Sequence, residues 1–317
     1  MKAAVISGFG EIPEYLDFAE PVALPNETIV TVRASALENF DKAAVEGTHY
    51  ASKSLFPTFP AIPGTDGVGI TEDGRLVGFG GLRPPFGAFA ERAPAAFTVS
   101  IPSDIDPVSA AAIPASALTS LLPLKYAGKL QPGETVLIHG ATGVSGRIAV
   151  EVARLIGARR IIGTGRNKKS LEKIRLLGAD VTVNLDLPDE EVASNFRDLG
   201  DVDVVLDFIW GRPAELLINS FIPGVVGFAT RRIRYIHAGE KAGSRASIPG
   251  AALRTSGLEL MGGGRIDHAS LQHELERVYG WIREGQVHMD IEMVPLHEIS
   301  KAWQRIDLAG RRLVIVS

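Results

Sequence analysis

The sequence predicts an α/β protein with a doubly wound parallel sheet and a second, β-rich domain. From Pro114 onward, apolar runs alternate with helical patterns. This alternation is typical of a parallel sheet that helices cover on both faces. Residues 1–113 instead hold short extended runs separated by Pro and Gly, which is typical of a β-rich domain. A chain of 317 residues has room for about two domains of roughly 150 residues each.

The elements follow from these patterns in order along the chain. The first domain is predicted to contain strands at 3–6, 28–34, 67–71, 75–79 and 88–92. The second is predicted to contain a helix at 116–126, strands at 135–139, 160–163, 181–185, 202–208 and 233–237, and helices at 144–156 and 168–177. An amphipathic helix at 268–284 precedes the apolar run 312–316, which we expect to return to the first domain's sheet. The predicted domains are therefore 1–115 with 261–317, β-rich, and 116–260, with the parallel sheet.

Composition excludes several classes of protein. The 33 basic and 37 acidic side chains leave a net charge of −4, which does not favour nucleic acid as a partner. The absence of cysteine excludes disulfides, thiolate nucleophiles and cysteine-ligated metals. The N-terminus reads as a first strand and not as a signal peptide, and no apolar run is long enough to span a membrane. We therefore expect a cytoplasmic protein.

The motif GATGVSG at 140–146 is the most informative feature of the chain. It stands between a predicted strand and a predicted helix, the order found in Rossmann-type dinucleotide-binding domains. Amides at the helix start can face a pyrophosphate, aided by the positive end of the helix dipole. Gly143 allows a close approach of the ligand, and Gly146 allows the helix to pack on the strand.

The next strand ends in residues that favour NADPH over NADH. In an NAD site, an Asp or Glu roughly 20 residues beyond the glycines binds the ribose 2′-hydroxyl. This chain has Arg166, Asn167 and Lys168 there. A guanidinium can bind a 2′-phosphate through two charge-assisted hydrogen bonds. The alternative is that Asn167 caps the following helix and that the cations form a solvated face.

The chain as a whole resembles the zinc-independent, quinone-oxidoreductase-like branch of the medium-chain dehydrogenase/reductase superfamily. The motifs that carry the resemblance are ALENFD (36–41), PGTDGVG (63–69), GAFAE (87–91), ALTS (117–120), PGETVLIHGATGVSG (132–146), LGAD (177–180) and RRLVIV (311–316). The resemblance implies a GroES-like catalytic domain beside the Rossmann domain.

The resemblance also implies roles for individual residues. Gly143, Val144 and Ser145 would hold the pyrophosphate, and Thr119 would lie beside the nicotinamide. Arg166 and Lys168 would meet the adenosine phosphate. The nicotinamide pocket would be lined by Phe208, Ala238 and Gly239. Two departures stand out: Ala141 replaces the first glycine of the GxGxxG pattern, and Glu38 stands where many relatives have Asn before Pro.

Zinc members of the superfamily hold a catalytic metal with Cys, His and acidic ligands. The corresponding segments of this chain read Glu38-Asn39, Gly64-Thr65-Asp66 and Ala117-Leu118. They contain no thiol and no histidine. No two of the 7 histidines form an i, i+4 pair that would share a helix face. We therefore expect no metal site.

Without a metal, hydride transfer favours acceptors that spread the incoming charge themselves, such as a quinone or an α,β-unsaturated carbonyl. Related enoyl reductases place a tyrosine after a glycine where this chain reads GTHY, at 47–50. Tyr50 would then donate a proton and His49 would relay one. The alternative for both is structural, for Tyr50 as a ring packed beneath a loop.

The sequence therefore predicts an NADPH-dependent, metal-independent reductase of quinones or conjugated carbonyls. Two alternatives are an enoyl-thioester reductase and a protein that binds NADPH without turnover, as a crystallin or a redox sensor would. The apolar run 258–261 beside three glycines either forms a sheet edge that joins two copies in a homodimer or lies in the interior.

Overall fold

The structure, a computed structural model, describes residues 1–226, 229–264, 268–308 and 310–317, with only the backbone of residues 268 and 269. The strands are β1 (Lys2–Val5), β2 (Glu14–Asp17), β3 (Thr28–Leu37), β4 (Asp66–Thr71), β5 (Leu76–Leu82), β6 (Arg92–Ser100), β7 (Thr135–His139), β8 (Arg160–Gly165), β9 (Val181–Asn184), β10 (Val204–Asp207), β11 (Ile233–His237), β12 (Leu258–Gly262), β13 (Ile291–Pro295) and β14 (Arg312–Val316).

The helices are α1 (Asn39–Val45), α2 (Ser52–Leu55), α3 (Pro107–Ala112), α4 (Pro114–Leu122), α5 (Val144–Leu155), α6 (Lys168–Leu176), α7 (Asp189–Arg197), α8 (Gly211–Ser220), α9 (Gly250–Thr255), α10 (His268–Arg283) and α11 (Ile299–Trp303). A π-helical turn, Pro123–Ala127, follows α4, and a 3-10 turn, Leu296–Glu298, precedes α11.

The chain divides into two compact units. Met1–Pro114 and Tyr279–Ser317 form a β-rich unit, and Ala115–Val278 form a second unit around a parallel sheet. The second unit extends further than the sequence predicts, because Lys125 and Tyr126 both donate hydrogen bonds to the buried carboxylate of Glu274 on α10. Most of α10 therefore belongs to the parallel-sheet unit and not to the C-terminal return, so the expected boundary at 261 is wrong.

The second unit is built on a six-stranded sheet in the order β12-β11-β10-β7-β8-β9. All of its pairings are parallel. Alternate residues of one strand are buried in different cores: Val136 and Ile138 in one, Leu137 in the other. Burial on both faces is what the uninterrupted apolar runs predict, and the doubly wound α/β fold is confirmed.

The β-rich unit contains a six-stranded sheet in the order β13-β14-β3-β4-β5-β6. An additional pairing of β3 with β6 closes four of its strands on themselves. β14 pairs with β3, from Leu313 opposite Leu37 to Val316 opposite Ala34. The end of the chain therefore returns to the sheet of the N-terminal segment, as the sequence predicts.

One strand prediction is wrong. The sequence predicts a strand at 88–92, but Ala90 makes only an isolated bridge to Ala3. The strand in this region is β6, which pairs with β3 and β5 and contains Pro94. Proline usually breaks a strand pattern, and the partners that accommodate it here lie far away in sequence.

A separate observation concerns membranes. None of the helices in the described ranges is both long and apolar enough to cross a bilayer.

Candidate functional site

The loop between β7 and α5 carries the glycine motif at the carboxyl end of the parallel sheet. Gly140 has a φ of +88°, and a Cβ built there would lie 2.6 Å from Cγ2 of Ile209. A Cβ on Gly146 would lie 2.3 Å from the carbonyl oxygen of Gly140. Neither position has room for a side chain. Gly146 thus lets α5 pack closely against the loop, which is the role that the motif predicts for it.

Gly143 differs, because the chain leaves space beside it. A Cβ there would approach only the carbonyl oxygen of Gly140, at an ordinary 3.7 Å. Gly143 is the extended N-cap of α5, with φ −74° and ψ 173°. The amides of Val144, Ser145 and Gly146 have no hydrogen-bond acceptor in the described part of the chain. Unpaired amides, open space and the helix dipole fit the pyrophosphate of a dinucleotide.

Helix α4 is joined to the start of α5 by serine hydroxyls. The Oγ atoms of Ser116 and Ser145 are 3.3 Å apart, and the hydroxyl of Ser120 donates to the carbonyl of Ser145 at 3.4 Å. Thr119 lies between Ser116 and Ser120 in sequence and is exposed. Its hydroxyl donates to the carbonyl of Ala115 at 2.6 Å. The predicted nicotinamide neighbour is therefore held on a helix that is anchored beside the glycine loop.

The end of β8 lies against the same loop. A Cβ on Gly165 would be 2.3 Å from Cγ2 of Thr142, so β8 and the glycine loop are in direct contact. Arg166 and Lys168 follow and are exposed. No hydrogen bond or ion pair joins either cation to another described residue. Both side chains are free to meet a phosphate group.

Asn167 caps α6. Its Oδ1 accepts a hydrogen bond from the amide of Ser170 at 3.0 Å. The alternative given for Asn167, that it caps the following helix, is therefore confirmed. The cap also fixes the start of the helix on which Lys168 is the first residue.

Asp207, the last residue of β10, organises the loops after β10 and β11. The carboxylate is buried. Its Oδ1 accepts hydrogen bonds from the amides of Ile209, at 2.8 Å, and Trp210, at 3.0 Å. Its Oδ2 accepts the phenol of Tyr235 at 2.6 Å. Burial, followed by the negative charge of Asp207, raises the pKa of Tyr235 well above its usual value, so the phenol stays protonated and donates.

The backbone of Asp207 binds the loop that follows β11. Its carbonyl oxygen accepts from the amides of Ala238, at 2.7 Å, and Gly239, at 3.1 Å. A Cβ on Gly239 would lie 2.7 Å from the carbonyl oxygen of Phe208. The three residues predicted to line a nicotinamide pocket, Phe208, Ala238 and Gly239, are therefore brought together at the carboxyl ends of neighbouring strands.

A second buried pair lies beneath the glycine loop. Nδ1 of His139 is 2.9 Å from Oγ1 of Thr164, and the amide of Gly140 donates to the same hydroxyl oxygen at 2.9 Å. Both side chains are fully buried. Burial lowers the pKa of His139, so the ring is neutral at physiological pH. Thr164 thus joins β8 to the first residue of the loop.

The GTHY segment lies in the β-rich unit. Nδ1 of His49 accepts a hydrogen bond from the amide of Ala51 at 3.2 Å. The His49 ring packs edge-on to Phe40, at a centroid distance of 4.8 Å, and against Tyr50, at 4.2 Å. Tyr50 is 95% exposed. The alternative that the Tyr50 ring packs beneath a loop is therefore wrong. The Tyr50 hydroxyl has no hydrogen-bond partner among the described residues.

The chain is similar in sequence to known dehydrogenases and quinone reductases. A family model described as zinc-binding dehydrogenase matches residues 145–219. The chain is 30% identical over 230 residues to the probable NADPH-dependent quinone reductase tdiC of Emericella nidulans, covering 67% of this chain and 62% of that protein. It is 25% identical over 299 residues to quinone oxidoreductase-like protein 2 of Bos taurus, covering 89% of this chain and 82% of that protein.

Similarity to a solved structure extends along the whole chain. The quinone oxidoreductase of Thermus thermophilus, whose structure was also determined in complex with NADPH, matches with a TM-score of 0.77 and 26% identity over 100% of both chains. The chain belongs to the medium-chain dehydrogenase/reductase superfamily, in its quinone-oxidoreductase-like branch. The family model covers only residues of the parallel-sheet unit. The Thermus structure extends the superfamily match to the β-rich unit.

One of the segments at which the superfamily's zinc members hold their metal has an ion pair in this chain. Nη2 of Arg312, on β14, lies 3.0 Å from Oε1 of Glu38. The amide of Glu38 donates to Oδ2 of Asp41 at 2.8 Å, which is a capping interaction at the start of α1. Asp41 is therefore the N3 residue of a capping box at the start of α1. Within the described ranges, no group of three or more His, Cys, Asp or Glu side chains is placed to hold a metal ion.

Neighbouring protein atoms and charges raise the pKa of two carboxyl groups near this ion pair. Asp66 is exposed at the start of β4, but the protein atoms around it and the negative charge of Glu38 raise its pKa to about 6. Burial and the charge of Glu38 raise the pKa of Asp41 well above its usual value. Both groups therefore hold protons more readily than an exposed aspartate.

Sequence reasoning missed Asp207, Tyr235 and Arg312. The signal for Asp207 was a charged residue directly after the apolar triplet Val204–Leu206, since a buried charge requires partners. Tyr235 and Arg312 carried no such local signal. Their partners lie 28 and 274 positions away in sequence, so only the folded chain brings them together.

Proposed function

We propose that this chain is an NADPH-dependent oxidoreductase that transfers hydride to a quinone or an α,β-unsaturated carbonyl compound without a catalytic metal. The observation that carries the proposal is the pair of unpartnered cations, Arg166 and Lys168, beside a glycine loop whose helix-start amides are also unpartnered among the described residues. Similarity to a probable NADPH-dependent quinone reductase and to a quinone oxidoreductase solved in complex with NADPH supports the same cofactor.

The cations favour NADPH through the 2′-phosphate. A carboxylate at the end of β8 would bind a ribose hydroxyl and repel a phosphate, whereas Arg166 can form a bidentate, charge-assisted pair with it. Lys168 adds a second positive charge. The amides of Val144 and Ser145 would bind the pyrophosphate nearby.

The bound cofactor would supply the hydride. The residues of this chain would position the cofactor and protonate the reduced acceptor. Asp207 holds the Phe208 and Gly239 loops in place through five hydrogen bonds, so little ordering of these loops is required when a ligand binds. Tyr50 has an exposed phenol and would donate the proton that completes reduction of the acceptor. His49, through the nitrogen that does not bind Ala51, would relay that proton.

Metal independence rests on the residues at the superfamily's metal positions. These segments have no cysteine or histidine, and the guanidinium of Arg312 already pairs with Glu38. Quinones and conjugated carbonyls delocalise the charge that a hydride brings, so hydrogen-bond donors suffice where an isolated carbonyl would need a Lewis acid.

The test is a panel of quinones, enones and enoyl thioesters, each assayed with NADPH and NADH. We expect NADPH oxidation with quinones or enones, undiminished after dialysis against a chelator. We expect Arg166→Ala to raise the KM for NADPH about tenfold or more and to leave the KM for NADH unchanged. Oxidation with enoyl thioesters alone would establish the thioester reductase instead. Tight NADPH binding with no oxidation by any acceptor would establish a binding protein, and activity lost on chelation would overturn metal independence.

A further inference from the structure

The β-rich unit contains a pocket of about 190 Å³ that the proposed cofactor site does not use. Its walls are mostly apolar and include Leu55, Phe56, Ile62 and Phe86. Two further wall residues are Gly64 and Gly81, with φ values of +97° and +66°. Their left-handed backbones favour glycine, so these parts of the wall stay free of side chains.

One buried acid borders this pocket. Asp41 is 3% exposed, and its Oδ2 accepts the amide of Glu38 at 2.8 Å. Its Oδ1 has no hydrogen-bond partner among the described residues. The remaining polar side chain in the wall is Thr65, whose hydroxyl donates to Asp66 at 3.2 Å. Asp41 is therefore the group with unused hydrogen-bonding capacity at an otherwise apolar surface.

The surroundings of Asp41 favour its protonated form. Burial is the main cause of its raised pKa, and the charges of Glu38 and Asp66 add to it, against the opposing effects of the Glu38 amide hydrogen bond and the charge of Arg312. A protonated carboxyl presents an O–H donor. A ligand that meets it gains a hydrogen bond by offering an acceptor oxygen, and a charged ligand would lose its hydration on these apolar walls.

Volume limits the size of the ligand. An engineered apolar cavity of about 150 Å³ binds benzene, so a pocket of about 190 Å³ has room for one six-membered ring and a small substituent. A long acyl chain or a fused ring system exceeds it.

We propose that this pocket binds a neutral, one-ring compound that bears a carbonyl oxygen, and that Asp41 donates a hydrogen bond to that oxygen. The site lies wholly among residues of the β-rich unit. It concerns binding and not turnover, so it goes beyond the proposed hydride transfer and does not depend on it.

Acetophenone and ethylbenzene form a matched pair of probes, since they have similar shapes and only acetophenone has a carbonyl. Their binding to the cofactor-free, full-length protein is measured by saturation-transfer NMR and titration. We expect acetophenone to bind about three- to tenfold more tightly, the effect of one hydrogen bond. Equal affinities, or no binding of either probe, would overturn the proposal.

Variants locate the site. Ala44 lines the pocket and is 1% exposed, so Ala44→Leu should fill it and weaken acetophenone binding at least about tenfold. Ala43→Leu, on the same helix but outside the wall, is the control and should bind like the wild type. Asp41→Asn keeps both a cap acceptor and a donor, and should retain the preference for acetophenone.

The outcomes separate the two proposals. Unchanged acetophenone binding by a folded Ala44→Leu protein refutes the pocket. If that variant fails to fold, the preference for acetophenone in the wild type and in Asp41→Asn still decides the question. A protein that binds acetophenone but never oxidises NADPH would refute the proposed function and leave the pocket standing.

Discussion

The phenol of Tyr235 donates a 2.6 Å hydrogen bond to the buried carboxylate of Asp207. The same carboxylate binds the amide of Trp210, whose φ of 52° lies in a region that non-glycine residues rarely adopt. One buried acid therefore maintains a strained backbone next to a predicted cofactor loop. The strain persists because the surrounding contacts determine it.

Tyr235→Phe tests this relationship. Removing one of three donors to a buried carboxylate should lower the free energy of unfolding by about 1–3 kcal/mol. It should also raise the KM for NADPH more than it lowers kcat, because the loops and not the reacting atoms are affected. Urea unfolding and steady-state kinetics measure the two effects. Tyr15→Phe, at a partly exposed tyrosine, is the control, and identical behaviour of the two variants would contradict the prediction.

The glycines of the nucleotide loop should separate folding from binding. Gly146→Ala places a Cβ 2.3 Å from a backbone oxygen, so we expect a marked loss of stability. Gly143→Ala meets nothing closer than 3.7 Å, so the protein should fold normally but bind NADPH more weakly, because the methyl group occupies the ligand's space. Thermal unfolding and fluorescence titration with NADPH provide the comparison. Normal NADPH affinity in Gly143→Ala would show that the pyrophosphate lies elsewhere.

Asp66 should make stability depend on pH in an unusual direction. Its pKa is raised from 3.8 to about 6 in the folded protein. A raised pKa stabilises the fold fully below the unfolded value, and this contribution is lost as the pH rises through about 6. Asp66→Asn should therefore raise the Tm at pH 8, with a smaller gain at pH 5.

Asp73→Asn is the control for that experiment. Hydrogen bonds from Thr71 and Arg75 lower the pKa of Asp73, so its charged form is the favoured one. Removing that charge should not raise the Tm at pH 8. If both variants gave the same shift in Tm between pH 5 and pH 8, the effect would not belong to Asp66.

Tyr50→Phe tests the proton donor. The side chain is 95% exposed, so removal of its hydroxyl should leave the Tm unchanged. If Tyr50 donates the proton, kcat should fall about 10²-fold, the lower end of what general acid catalysis contributes. The measurement is turnover of the accepted quinone or enone. Unaltered turnover with every acceptor would remove Tyr50 from the mechanism.

β12 contains the run 258–261 that the sequence offers as a dimer edge. This strand lies at one edge of the parallel sheet, and Leu260 on it is 38% exposed. An exposed edge strand can pair with a second copy. We expect the chain to sediment as a dimer, and Leu260→Lys to shift it towards monomer. Sedimentation of the wild type as a monomer at all concentrations would end this proposal.

The sequence by itself determined the parallel-sheet unit closely. The bounds predicted for its strands β7 and β11 are those of the structure, as are those of β14 in the β-rich unit, because buried strands are mainly apolar runs whose pattern is local. The glycine motif likewise located the turn between β7 and α5, since Gly146 is crowded by Gly140 and Ala141, only a few residues away. The cap formed by Asn167 was an alternative that its position alone suggested.

Only the tertiary structure decided the features that join distant segments. β6 was missed because its Pro94 argues against a strand until β3 and β5 are seen beside it. The C-terminal part of the β-rich unit begins at Tyr279 and not at the predicted residue 261, because Glu274 pairs with Lys125 of the parallel-sheet unit. Folding also brings together two pairs that are distant in sequence, Asp207 with Tyr235 and Glu38 with Arg312. Their contacts are set by strand order and packing, which no local pattern of residue types records.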